Sequence, residues 1–167
     1  METWEKIDME KWPRRDHFAY YTEKLKVQYN ITAEIRVETL LSYCRNTGRR
    51  FYPVLIYLTA KTVNSIDNLK LFLNEAGELC QWKQVHPNYT IFHNDDKTFS
   101  DCWSLYNEDL DIFYDTITSD MEKYANVKGI KVRSDQPKNF FCVSCAPWTS
   151  FTGFNTTVVG GDLQYFP

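Results

Sequence analysis

The chain has 167 residues, with 19 basic and 22 acidic side chains and a formal net charge of −3. That length suits one domain with a core large enough to need no metal or disulfide staple, and the acidic balance excludes nucleic-acid binding driven by bulk charge. Aromatic residues make up 16% of the chain, which suits an aromatic core or an aromatic-lined pocket.

In chain order, Asp16 to Lys26 predicts a helix. Asp16 can cap it, and Phe18, Tyr21 and Leu25 recur at three- and four-residue steps. Tyr29 to Val37 alternates, with Ile31, Ile35 and Val37 on one face, and predicts a strand. Glu38 to Cys44 predicts a short helix ended by Asn46-Thr47-Gly48. Tyr52 to Ser65 predicts a buried helix, apolar nearly all round, with Pro53 in its first turn where a missing N–H is harmless. Glu78 to Trp82 predicts a strand. Tyr89 to His93 and Thr98 to Trp103 flank the polar turn Asn94-Asp95-Asp96-Lys97 and predict a hairpin. Asn107 to Tyr124 predicts a helix with the stripe Leu110, Phe113, Ile117, Met121 and Tyr124, and with Glu108 and Asp109 at its positive end. Val127 to Lys138 reads as a basic, irregular loop. Asn139 to Ala146 and Gly153 to Val159 predict strands joined through Pro147-Trp148, with Ser144 inside the first, on an interior strand.

Taken singly, the reactive side chains point nowhere. Cys142-Val143-Ser144-Cys145 has CxxC spacing, but positions i and i+3 of a strand face apart, and two cysteines fall short of a four-ligand zinc site. Five scattered cysteines without a secretory signal read as reduced thiols of a cytoplasmic protein, and no segment is apolar enough to span a membrane. Gly160-Gly161 lacks the lysine of a phosphate loop and reads as a turn. None of His17, His86 and His93 belongs to an obvious nucleophile–base pair, and each alone reads as a structural or exposed histidine. The expectation is therefore no metal, no nucleic acid and no membrane.

The order of motifs says more. Trp12-Pro13-Arg14-Arg15-Asp16-His17-Phe18 is followed by Phe51-Tyr52-Pro53, Pro87-Asn88-Tyr89-Thr90-Ile91-Phe92-His93 and Thr98-Phe99-Ser100. Val143-Ser144-Cys145-Ala146-Pro147-Trp148 and Ser150-Phe151-Thr152-Gly153-Phe154-Asn155 complete the series. Six motifs in this order and spacing resemble the chloramphenicol acetyltransferase family from about Ile7 to Pro167. The resemblance implies a single α+β domain over residues 1–167, a mostly antiparallel sheet packed with helices, assembled as a homotrimer. It implies acetyl-coenzyme A as co-substrate and chloramphenicol as acceptor, with direct acetyl transfer to a hydroxyl by general-base attack.

Residue by residue, the resemblance puts Ser144 at the serine that donates to the oxyanion, and Arg14 at the arginine that holds the catalytic region in place. Tyr20, Tyr21, Leu25, Thr90, Phe99, Phe154, Thr156 and Val158 fall on positions lining the chloramphenicol pocket. Contacts to coenzyme A are not assigned. The family's His-His-x-x-x-Asp-Gly motif, which carries the base, has no counterpart here, since no Asp-Gly pair occurs. The chain thus looks like a C-terminally truncated member that lacks the base, its last strands and its last helix. The alternative is a catalytically inactive remnant or binding module of the same fold. The acyltransferase core of 2-oxo acid dehydrogenase complexes, which is similar in fold, is disfavoured because no lipoyl domain or Ala/Pro-rich linker precedes Met1. Two further departures are Lys131, where an aromatic often covers the pocket, and Asp101, where the family has a small residue.

Overall fold

The computed structural model describes residues 3–25 and 30–153. It is an α+β arrangement of two small sheets and four α-helices, and the sequence expectation of fold class holds. In the first sheet β1 (Trp4–Lys6) and β2 (Leu71–Leu73) flank β3 (Leu79–Trp82), all antiparallel. In the second, β5 (Thr98–Trp103) and β6 (Phe140–Val143) flank β4 (His86–His93), with β5 antiparallel to β4 and β6 parallel to it.

The core forms where the long helices cover one face of the second sheet. Strand residues alternate in direction, so Tyr89 on β4 and Cys102, directly opposite on β5, share one face. Against it pack Ile56, Tyr57 and Ala60 of α3 (Phe51–Ser65) and Phe113 and Ile117 of α4 (Leu110–Tyr124), all buried. The apolar stripe read from the sequence thus puts Phe113 and Ile117 in the core, while Leu110, Met121 and Tyr124 border it. Asp109 caps α4, its carboxylate accepting from Asp111 N at 2.8 Å and Ile112 N at 3.1 Å. α3 is less fully buried than its composition suggests, since Leu58 faces solvent. It is held to the sheet by Asn64, whose amide donates to Val85 O and accepts from Val85 N, both at 2.9 Å.

Several expectations are corrected. The first helix is two pieces, α1 (Arg15–Ala19) and a π-helical turn (Tyr20–Leu25), with no buried residue. Asp16 does not cap it: Arg14 takes that position, and the Asp16 carboxylate pairs with Arg15 Nε at 3.0 Å. Residues 30–37 form no strand; Ile31 and Ile35 are almost fully exposed. Alternation only marks a segment able to pair, and among the described residues no strand pairs with this one. The next helix, α2 (Glu38–Thr47), runs three residues further than expected before Gly48 ends it at φ +70°, a conformation glycine adopts without strain. β1 and β2, three residues each, carry too little pattern to read in a sequence. The expected strand from Gly153 falls, beyond Gly153, outside the described residues. No helix among them is long and apolar enough to cross a membrane.

Candidate active site on the open face of the second sheet

The face of the second sheet turned away from α3 and α4 brings several motif residues together. Cross-strand partners share a face, so the pairs Phe92 with Phe99, Thr90 with Asp101 and Asn88 with Trp103 all stand on it. Cys142 joins them from β6, opposite Asn88, whose amide lies 3.8 Å from its sulfur. The chain leaving β6 folds back so that Trp148 packs on Phe92, ring centres 4.8 Å apart. Much of this aromatic surface is open to solvent, with Phe99 at 53% and Trp148 at 64% of full exposure.

Beneath this face the polar groups are committed. Tyr89 donates to Ser104 Oγ at 2.9 Å, and Ser104 donates to Asp120 at 2.6 Å. Asp120 also meets Arg133 at 3.3 Å, and Arg133 lies 4.0 Å over the Trp103 ring. Burial drives the Tyr89 hydroxyl far above the ordinary tyrosine pKa, so it works as a neutral donor. Asp135, hydrogen-bonded by Arg133, is held down at about 2. His93 and Ser100 form a second buried pair, 2.8 Å apart. Ser100 donates to Val127 O at 3.2 Å, which leaves His93 Nε2 as the donor to Ser100 and removes any nucleophile–base reading. His86 is buried with its pKa pushed down to about 4 by desolvation, and its Nδ1 accepts from Tyr106 N at 3.1 Å.

These contacts also fasten the basic loop along the outer edge of β5. Asp101 N donates to Ile130 O at 2.6 Å and Val132 N donates to Asp101 O at 3.1 Å, so Asp101 and Lys131 form a parallel bridge. Asp101 and Lys131 are therefore backbone neighbours beside Thr90 and Phe99. No sequence signal linked them, because thirty residues separate them.

The predicted site residues divide. Thr90 and Phe99 stand on the shared face. Tyr20 and Tyr21 touch each other, ring centres 5.3 Å apart, and with Leu25 they lie exposed on the π-helical turn. Phe154, Thr156 and Val158 lie outside the described residues. Arg14 is exposed, and among the described residues no carboxylate lies within ion-pair distance of it. The expectation of an interior strand for Ser144 is corrected: β6 stops at Val143, lies at the sheet's edge, and leaves Ser144 exposed in the loop that follows. A serine next to alternating apolar residues reads as strand, yet the ladder to β4 ends at the Tyr89–Val143 pair.

Tyr52 is the residue the sequence reading passed over as part of a motif. Its hydroxyl is buried without a hydrogen-bond partner, on a helix that brings it near Thr90, Asp101 and Cys145. Burial raises its pKa, an effect Thr90 partly offsets. No group of three or more His, Cys, Asp or Glu side chains among the described residues is placed to hold a metal ion.

The chloramphenicol acetyltransferase family profile matches residues 2–167. A chloramphenicol acetyltransferase of Clostridium butyricum is 38% identical over 161 residues, covering 96% of this chain and 74% of that protein. One from Staphylococcus aureus is 37% identical over 162 residues, with 97% and 74% coverage. Among solved structures, a chloramphenicol acetyltransferase superposes with a TM-score of 0.74 at 18% identity, covering 93% of this chain and 71% of that one, which shows a common fold. The chain thus spans about three quarters of the length of these relatives, and with a profile match over nearly all its residues it belongs to the chloramphenicol acetyltransferase family.

Proposed function

We propose that this chain is the acceptor-binding part of a cytoplasmic chloramphenicol O-acetyltransferase, one domain over residues 1–167, working as a homotrimer with acetyl-coenzyme A as co-substrate. The observation that carries the reading is the family match over residues 2–167, whose similar relatives are named for that activity. The open aromatic face supports it. Phe92, Phe99 and Trp148 expose apolar rings that a second copy or an aromatic acceptor would cover.

In this reading a general base takes the proton of the acceptor hydroxyl while its oxygen attacks the thioester carbonyl. The oxyanion that forms accepts a hydrogen bond from Ser144, and collapse expels the coenzyme A thiolate, which recovers the proton. A hydroxyl aimed at charge present only in the transition state accelerates the reaction without tightening substrate binding. Arg14 holds the catalytic region, and Tyr20, Tyr21, Leu25, Thr90, Phe99, Phe154, Thr156 and Val158 line the acceptor pocket. The base lies outside these residues: His86 and His93 are buried and hydrogen-bonded, and His17 sits exposed on α1. The same observation favours the second reading, a binding module without turnover.

A thiol-release assay with acetyl-coenzyme A and chloramphenicol separates the two. The chain alone should turn over 10²–10⁴-fold or more below a complete relative, roughly the contribution of a general base. Joined to the portion of the Staphylococcus aureus relative that lies outside the matched stretch, it should regain turnover. Ser144→Ala in the joined protein should then lower kcat by about 10²–10³-fold. Full turnover by the chain alone would put the base among its own residues, and none from the joined protein would favour the binding module.

A further inference from the structure

Arg133 fastens the basic loop to the edge of β5. It donates through Nη1 to Trp103 O at 3.0 Å, and through Nε and Nη2 to the two carboxylate oxygens of Asp135 at 3.0 and 2.8 Å. Nη1 also meets Asp120 of α4 at 3.3 Å, and the guanidinium stands 4.0 Å over the Trp103 ring. Trp103 closes the cluster by donating from its indole Nε1 to Asp135 at 3.3 Å. Strand β5, helix α4 and the loop thus converge on one guanidinium whose side chain is only 16% exposed. A planar fork of donors holds such partners at fixed angles, which the point charge of an ammonium does not.

Two residues before this clamp the loop reaches the open face. Lys131 bridges Asp101 in parallel register, and bridged residues point to one side of a sheet. Lys131 therefore stands with Asp101 on the face that carries Thr90 and Phe99. The thiol of Cys142 on that face feels both charges. Burial raises its pKa most and the Asn88 amide offsets part of the rise; Asp101 then raises it and Lys131 lowers it. Lys131 does not hold itself in place. It is exposed, and among the described residues its ammonium makes no hydrogen bond or ion pair, not even with Asp101. Its position follows from the backbone bonds that Ile130 and Val132 make with Asp101, at 2.6 and 3.1 Å. A bridge of two bonds at a sheet edge is marginal by itself, and the clamp begins at the next residue, Arg133.

We infer that Arg133 is a positioning residue of the acceptor site: by clamping the loop to β5 and α4 it fixes where Lys131 stands beside Thr90 and Phe99. The inference rests on the acceptor reading given above and adds to it a residue that none of the six motifs contains. The N–H groups of Arg133 are committed to Trp103, Asp120 and Asp135, so it acts through the backbone of residues 131 and 132. What the acceptor meets is Lys131, held at one place on an otherwise aromatic face.

The test uses the 167-residue chain. Arg133→Lys keeps a positive charge near Asp120 but loses the fork to Asp135. It should speed hydrogen exchange about tenfold or more at the amides of Asp101 and Val132, which bond across the bridge, and leave the amides of α4 unchanged. Arg133→Met, which keeps the packing over Trp103 without any N–H, should release the same two amides. Arg133→Lys should also weaken chloramphenicol binding, measured by calorimetry, roughly fivefold. On a Lys131→Ala background the same change should alter the affinity by less than about twofold, because the side chain that the clamp positions is gone. A merely structural role would act alike on both backgrounds, so equal weakening in the two overturns the proposal. Unchanged exchange at Asp101 and Val132 overturns it as well. Failure of the acceptor reading looks different: the parent chain then takes up no chloramphenicol while the two amides still respond to Arg133→Lys. That result overturns the proposal by way of the reading it rests on.

Discussion

The two faces of the second sheet are built from the same strands and differ in almost everything else. The face under α3 and α4 is closed: Tyr89, Cys102, Phe113 and Ile117 are buried, and the polar groups among them are paired through Ser104, Asp120 and Arg133. The opposite face leaves Phe92, Phe99 and Trp148 exposed. One face is closed and internally paired, and the other is open. Stability and function should therefore respond to substitutions on opposite sides of one layer, only about 10 Å thick with its packed neighbours.

The largest effect should come from the closed face. Phe113→Ala removes a fully buried ring from between α3 and the sheet and should cost about 3–5 kcal/mol, read as a fall in the urea midpoint with an unchanged slope. A loss under 1 kcal/mol would mean that this face is not the core.

Acid should act by way of His86, which is buried although it does not stand on the closed face. Its folded pKa of about 4 lies below the ordinary 6.5, so between those values the unfolded chain binds a proton that the folded chain refuses. Its contribution to stability is whole above pH 6.5 and is lost as pH falls toward 4, by up to about 3 kcal/mol. Protonation would also destroy the acceptor that receives Tyr106 N. His86→Gln should flatten this part of the stability profile relative to the parent chain; parallel profiles would show that other groups govern it.

Asp109→Ala tests the helix that closes the core, apart from its packing. It leaves Asp111 N and Ile112 N without their cap and should cost about 1 kcal/mol by chemical denaturation. The smallest change in stability should come from the open face. Phe99→Ala should shift unfolding by less than about 0.5 kcal/mol and yet weaken chloramphenicol binding, measured by calorimetry, about tenfold. A large loss of stability from Phe99→Ala would erase the distinction between the faces.

Local chemistry was readable from the sequence. Proline in the first turn of α3, the Phe113 and Ile117 stripe of α4, and the polar turn between β4 and β5 each act over a few residues, so spacing alone shows them. The turn is tightened as that reading implies, with Lys97 at φ +60° and Asp96 accepting from Thr98 N at 3.0 Å. Motif order carried the family, since six short patterns need no knowledge of how they meet.

What the sequence determined, then, was which segments are helical or extended, and to which family they belong. Tertiary structure decided which extended segments become strands and which side chains meet. Residues 30–37 alternate as well as any strand here, but a strand exists only when another edge binds it. Ser144 leaves the ladder because β6 ends one residue earlier, a boundary set by β4. Asp101 and Lys131 meet, and Tyr52 is stranded near Thr90, through contacts between segments thirty or more residues apart. Spacing along the chain encodes periodicity, and periodicity gives a face without naming what will cover it.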